Sequence, residues 1–322
     1  MKHNCLYCYT PLDGDRDFHE KCSKKFFGTK DAPILSHTID EMSELAKNVV
    51  ERSVAVPGVQ AKLSMSVIKD ASENAKNRLT VVGALGGNYI FKPPSENFPE
   101  MPENEHVTMR IAEAFGINVV ESSLIRLKSG ELSYITKRID RTTKGEKIHM
   151  IDMFQITEAF DKYKSSMEKV GKALNEHSDN TLLDQLFFFE LTIFSYLTGN
   201  NDMHLKNFSM IRTASGWSLS PAYDLLNVRI LNPEDKEELA LTLGGKKRKL
   251  TRACFERFGE GLGLTPKQVE GAFKRIEKNK PKAIEWIGNS FLSEEMKTEY
   301  VGLLNERCNK LAQGTELNYQ LY

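Results

Sequence analysis

Asp202 and Asn207, in the stretch "GNNDMHLKNFSM", are spaced D-x-x-x-x-N. In phosphoryl transfer that spacing sets a carboxylate beside the acceptor hydroxyl and a carboxamide oxygen on a metal ion, both from one short loop. Downstream, "FSMIRTASGWSLSPAYDLL" reads as two short strands around Ser215-Gly216 that return Asp224. A second acidic oxygen is what Mg²⁺ requires, since it takes hard ligands together with substrate phosphates. Upstream, "NYIFKPP" ends an apolar strand in Lys92, a cation suited to ATP phosphates. The loop "VPGVQAKLS" could cover those phosphates with the amides of Gly58, Val59 and Gln60 and with Lys62. Glu105 opens a helical stretch and reads either as the lysine's partner or as a charge favoured at a helix N-terminus.

Each residue also has a plain reading. Asp202 and Asn207 serve as turn residues, Lys92 as a snorkelling strand lysine, Asp224 as a helix cap. Their joint order, lysine strand, helix, hairpin, apolar helix, D-x-x-x-x-N and returning Asp, argues for chemistry.

A second cluster lies in "CLYCYTPLDGDRDFHEKC", where Cys5, Cys8, His19 and Cys22 form C-x2-C-x10-H-x2-C. Thiolate and imidazole are the ligands zinc prefers, and four protein ligands make a structural site with no open position. The alternatives are an empty knuckle or incidental cysteines in a reducing compartment.

The elements that must position these residues can be read from periodicity. "KKFFG" suggests a short helix closed by Gly28, and "DEMSELAKNVVERS" has helical spacing. Residues 54–68 read as strand, tight loop, strand, and "RLTVVGALGGNYIFKPP" as glycine-punctuated β sequence. "ENEHVTMRIAEAFGI" is an amphipathic helix, and a hairpin turns at Ser129-Gly130. Helical patterns then cover 151–175, 181–198, 234–240, 251–262, 265–278 and 292–312. The expectation is an α+β, two-lobed, protein-kinase-like fold: a Cys/His extension over 1–28, a β-rich N-lobe over 29–141 and a helical C-lobe over 142–322.

Composition excludes some classes. The 322 residues are 40% hydrophobic and 27% charged, a globular mix, and 44 Lys plus Arg balance 44 Asp plus Glu. That balance opposes bulk electrostatic binding to nucleic acid or to an anionic membrane. The basic run "GGKKRKL" reads as a nucleic-acid patch, part of an active-site mouth, or a solvated turn. The most apolar segment, "LLDQLFFFELTIFSYLTG", carries Asp184 and Glu190 and reads as a buried helix rather than a membrane span. With no signal-peptide pattern at the N-terminus, a cytoplasmic protein is expected.

The motifs "GVQAK", "NYIFKPP", "NEHVTMRIAEAFGI", "ITKRIDR", "MIDMFQ", "GNNDMHLKNFS", "LSPAYDLL" and "LTLGGK" make the chain, from about residue 50 onward, resemble the HipA-like serine/threonine kinases of bacterial toxin–antitoxin systems. The resemblance implies ATP and Mg²⁺ as cofactors and a growth-inhibiting Ser/Thr protein kinase. Asp202 would be the catalytic base, with His204 and Lys206 lining the transfer site. Asn207 and Asp224 would hold Mg²⁺, Lys92 would pair with ATP phosphates, and Lys137, Arg138 and Ile139 would form the adenine hinge. Longer family members carry an extra N-terminal subdomain, and this chain resembles the short, split forms whose subdomain is a separate small protein. A small DNA-binding antitoxin is the other implied partner. The family's autophosphorylated serines are replaced here by Ala55 and Pro57, leaving Ser53 as the nearest hydroxyl, and Lys137 stands at the usual hinge glutamate. Competing readings are a nucleotide-binding module without transfer, a small-molecule kinase on the same fold, and a zinc module carrying the main function.

Overall fold

The computed structural model describes residues 3–52, 62–68, 77–82 and 86–312. Two units emerge from it. Unit 1 takes Met1–His106, Val120–Lys147 and Asn289–Phe291; unit 2 takes Val107–Val119, Ile148–Gly288 and Leu292–Tyr322.

Unit 1 begins with a two-residue antiparallel pair, β1 (His3–Asn4) and β2 (Pro11–Leu12). Helix α1 (Glu20–Phe27) follows and ends at Gly28, whose φ of 75° is the left-handed stop that glycine supplies. Helix α2 spans Ile39–Arg52. The centre of the unit is an antiparallel sheet of β3 (Leu63–Ile68), β4 (Arg78–Val81), β5 (Tyr89–Lys92), β6 (Ser122–Arg126) and β7 (Leu132–Lys137). Its strand order is β4-β3-β5-β7-β6. Leu124 is buried in it beside Tyr89, Phe91, Tyr134 and Ile135, the aromatic and β-branched types that suit a packed pleated surface. Helix α3 (Met101–Ala114) starts in unit 1 and continues into unit 2 after His106.

Unit 2 holds a three-stranded antiparallel sheet, β8 (Met150–Asp152), β9 (Ser209–Thr213) and β10 (Gly216–Leu219), in the order β10-β9-β8. Its helices are α4 (Met153–Ile156), α5 (Met167–His177), α6 (Thr181–Thr198), α7 (Val228–Leu231), α8 (Arg252–Gly261), α9 (Pro266–Asn289) and α10 (Glu294–Ala312). Helix α6 is the core. Phe188, Phe189, Ile193, Phe194, Tyr196 and Leu197 are all fully or nearly fully buried. Its two acids are each satisfied, as burial demands. Asp184 accepts from the Ser178 hydroxyl at 2.5 Å and the Leu219 amide at 2.7 Å, and Glu190 pairs with Arg275. No helix among the described residues is long and apolar enough to cross a membrane.

Three helical expectations are corrected. Residues 151–175 are not one helix: β8 runs into α4, whose Asp152 and Gln155 form a capping box, and residues 157–166 are irregular before α5. Residues 234–240 are irregular rather than helical: Asp235 accepts from the Glu237 amide at 2.9 Å, and Leu239 to Leu241 are buried in succession rather than on one helical face. Helix α9 continues past 278 to Asn289 with Pro281 inside it, carried by buried Ala283 and Ile287.

Candidate active site

The D-x-x-x-x-N loop leaves α6 through Gly199, at φ 72°. A Cβ there would lie 2.7 Å from Asn227 Oδ1, 2.7 Å from Leu303 Cδ2 and 2.9 Å from Arg229 Cβ, so only glycine fits. Beyond it the loop is tied by its own polar groups. The Asn200 amide donates to Ser195 O at 2.9 Å, and Asn200 Oδ1 accepts from the Asp202 amide at 3.3 Å. The chain then makes a 3-10 turn over Leu205–Asn207. Asn207 Nδ2 donates to Asp202 O at 2.9 Å, which closes the loop and leaves the carboxamide oxygen of Asn207 as the atom for a cation.

The Asp202 carboxylate is 42% exposed, and its Oδ1 accepts from the Tyr163 hydroxyl at 2.7 Å. Burial, with Asp202 adding to it, pushes the Tyr163 phenol up, so the hydroxyl keeps its proton and donates. His204 Nε2 stands 4.0 Å from the same oxygen, too far for a hydrogen bond, and its ring meets Tyr163 edge-on at 5.0 Å. Burial pushes the His204 imidazole below its usual value, against the pull of Asp202. Its Nδ1 is buried and finds no partner among the described residues. Lys206 is exposed, with Nζ 4.8 Å from the centre of the Phe154 ring.

Asp224 lies in the irregular segment after β10, with φ 55°. Asp is one of the few side chains that visit this region, and the strain persists only where the surroundings impose it. Asn200 Nδ2 donates to Asp224 O at 3.5 Å, and the preceding Tyr223 hydroxyl donates to Lys206 O at 3.0 Å. Asp202, Asn207 and Asp224 are thus tied into one set of hydrogen-bonded loops inside unit 2. Three oxygens of the type Mg²⁺ prefers come from that set.

In unit 1, Lys92 Nζ lies 2.6 Å from Glu105 Oε1, with the side chains 5% and 1% exposed. Lys92 Nζ also sits 5.2 Å over the Tyr134 ring. Lys62 is exposed just before β3. Gly58, Val59, Gln60 and Ser53 lie outside the described residues. Of the hinge candidates, Lys137 directs its ammonium to Glu121 Oε2 at 2.5 Å and Lys25 O at 3.0 Å. Arg138 grips Asp140 through two bonds of 2.8 and 2.6 Å, donates to Ser64 Oγ at 3.0 Å, and donates its amide to Asn88 O at 2.8 Å. Burial works to raise the Asp140 carboxyl, but Arg138 and Arg141 hold it below its usual value. Ile139 follows between them.

Also in unit 1, Cys5, Cys8, His19 and Cys22 bring their ligand atoms within 4.8 Å of one another. A hydrogen bond with Cys5 pulls the Cys8 thiol down to about 4, and the same bond drives the Cys5 thiol up.

Tyr163 is the residue missed by sequence reasoning. It stands in an irregular segment, "EAFDKYKSS", and bonds a carboxylate 39 positions away. An aromatic residue set in a polar loop, beside fully exposed Phe160, was the only signal. The basic run resolves as a tight turn: Leu243 and Lys246 exchange backbone bonds of 2.7 and 3.1 Å, and Lys247 pairs with Glu237 at 3.1 Å. Each unit also carries a groove holding none of the residues above except Lys246, about 720 Å³ near Phe18 and Lys128 and about 610 Å³ near Glu168 and Arg257.

Comparison with known proteins gives relatives on both the sequence and the fold level. The chain is 28% identical over 274 residues to a putative kinase of Haemophilus influenzae, covering 76% of this chain and 78% of that one. It is 33% identical over 245 residues to the putative kinase Y4dM of Sinorhizobium fredii, covering 70% and 57%. Among solved structures, the HipA chain of the Shewanella oneidensis MR-1 complex of HipA, HipB and operator DNA superposes with a TM-score of 0.66 at 23% identity, over 80% of this chain and 65% of that one. The chain therefore spans less than two thirds of Y4dM and of that HipA chain. The structural likeness shows a mixed α+β, kinase-like fold. The family model for the HipA-like C-terminal domain matches residues 54–284, a span that contains Lys92, Glu105, Asp202, Asn207 and Asp224, and the chain belongs to that family.

Proposed function

We propose that the chain is a serine/threonine protein kinase that transfers the γ-phosphoryl group of ATP in the presence of Mg²⁺. The buried Lys92–Glu105 pair carries the reading, because a strand lysine fixed by a helix glutamate is what kinases use to hold ATP phosphates. Lys92 supplies the cation. Asp202 orients the acceptor hydroxyl and takes its proton, a role that its exposure and its bond to a hydroxyl donor support. The carboxamide oxygen of Asn207 and the carboxylate of Asp224 fit Mg²⁺, their donor set being hard oxygen. Charge neutralisation at the phosphates is the chemistry that Mg²⁺ supplies when bound. The amides of Gly58, Val59 and Gln60, with Lys62, cradle the phosphates, and Lys137 to Ile139 meet the adenine. His204 and Lys206 line the acceptor side of Asp202.

The likeness to a HipA captured with HipB and DNA supports a further step: a toxin kinase of the cytoplasm, restrained by a small DNA-binding partner. A separately encoded N-terminal subdomain is the second partner this reading admits. The test is phosphoryl transfer from γ-labelled ATP to proteins of a cell extract, wild type against Asp202→Asn. Labelled Ser or Thr with wild type alone is the expected result, and equal labelling by both overturns the assignment of Asp202.

A further inference from the structure

We propose that Cys5, Cys8, His19 and Cys22 hold a zinc ion, and that the metal-pinned loop closes one rim of the unit 1 sheet. The inference does not depend on the kinase reading.

The donor set is three thiols and one imidazole, all from protein, converging within 4.8 Å. Tetrahedral zinc, with bonds of about 2.3 Å to sulfur and about 2.0 Å to nitrogen, spaces its ligand atoms by about 3.5–3.8 Å. His19 Nδ1 already stands 3.4 Å from Cys8 Sγ and 3.8 Å from Cys22 Sγ. The far side of the ring is equally telling. His19 Nε2 lies 3.1 Å from Pro11 O, and a carbonyl can only accept. The ring proton is therefore on Nε2, and Nδ1 turns its lone pair toward the three sulfurs. Zinc-bound histidines are oriented by just this kind of outer hydrogen bond. A disulfide is the poorer fit, since pairing any two cysteines would strand the third, and all five cysteines of the chain are free.

What the site pins is visible in the residues beside the ligands. Between Cys5 and Cys8, Leu6 O accepts from the Leu124 amide of edge strand β6 at 3.3 Å, and the Tyr7 hydroxyl donates to Glu121 at 3.0 Å. After Cys22, Lys25 O accepts from Lys137 at the end of β7, and the Phe26 ring packs on Tyr89 with centroids 5.7 Å apart. The two ligand-bearing segments thus engage β6 and β7 separately. A metal joining them holds both contacts at once, the task a structural zinc performs where a short loop has little core of its own.

The experiment uses the full chain purified in reducing, chelator-free buffer. Metal analysis is expected to give close to one zinc per chain. Cobalt exchange should give tetrahedral ligand-field bands with thiolate charge transfer. Cys8→Ser should lower metal content at least tenfold, while His19→Cys should keep the metal with an altered cobalt spectrum, a control against simple misfolding. Removing the metal from wild type should speed hydrogen exchange at the Leu124 amide more than at Phe91 in the middle of the sheet. A wild-type chain that takes up neither zinc nor cobalt, or a cobalt spectrum unchanged in Cys8→Ser, overturns the site. Unchanged exchange at Leu124 overturns the role in closing the sheet.

Discussion

Lys92 in unit 1 and Asp202 in unit 2, two charged side chains to which the proposed function gives a role, each have a partner at nearly the same distance, yet they differ in burial and in the kind of partner. Lys92 meets Glu105 at 2.6 Å with both side chains almost wholly buried, whereas Asp202 meets Tyr163 at 2.7 Å with its carboxylate 42% exposed. Burying an ion pair costs desolvation that the attraction barely offsets, so such a pair persists as a fixed fitting. An exposed carboxylate loses little when it exchanges one hydroxyl donor for another. Lys92 is built to stay put. Asp202 is placed to change partners, and its resting partner is a hydroxyl donor, as the Ser or Thr acceptor of the proposed reaction would be.

The largest effect expected is on transfer. Asp202→Asn should lower kcat about 10³-fold, within the span seen for a lost general base. Its unfolding free energy should stay within about 0.5 kcal/mol of wild type, as for exposed sites. A large loss of stability in Asp202→Asn would break the contrast with Lys92. Lys92→Met should do the opposite at equilibrium, costing about 3–5 kcal/mol in denaturant titration because the buried Glu105 loses the cation that faces it at 2.6 Å. The double variant Lys92→Met with Glu105→Leu should recover most of that stability with no activity. If the double variant is no more stable than the single one, the pair is not the source of the cost.

Glu103, two residues from Glu105 on α3, sharpens the point through pH. Burial raises its carboxyl from 4.5 to about 7. The folded state thus binds the proton more tightly than the unfolded one, so its contribution is greatest below pH 4.5 and is lost as pH rises toward 7. Glu103→Gln should match wild type near pH 4 and exceed it in stability at pH 8, read by thermal unfolding. A variant less stable than wild type at pH 8 would show that the charged form is held by something else. The smallest effect belongs to Tyr163→Phe. Removing a hydroxyl that competes with the acceptor should lower the acceptor KM about two- to tenfold, the worth of one hydrogen bond, with kcat retained. A fall in kcat alone would make Tyr163 a positioning residue instead.

Legibility in the sequence followed the range of the interactions. Helix α3, the β6–β7 hairpin and the kinase-like order of elements were readable because each rests on local periodicity or a turn. The Cys/His cluster was readable because its four residues lie in one short stretch. Tyr163 was not, since only folding brings it to Asp202. Glu105 could be read two ways until the structure put it on Lys92, a pairing that depends on how α3 lies against β5. The positive φ of Asp224 has no local signature, Asp being a common turn and cap residue. Residues 234–240 were misread because their charges and leucines mimic helical spacing, while Asp235 in fact closes a turn.

The N-terminal segment reaches both rims of the five-stranded sheet. Leu6 bonds the β6 edge, and at the opposite edge Ile34 exchanges bonds of 2.8 and 3.0 Å with Asn77 and Leu79 beside and within β4. An open strand edge is a template on which another chain can add itself. Leu6 and Ile34 each occupy one position on such an edge, so a foreign strand pairing at Leu124 or at Leu79 would have to displace them first.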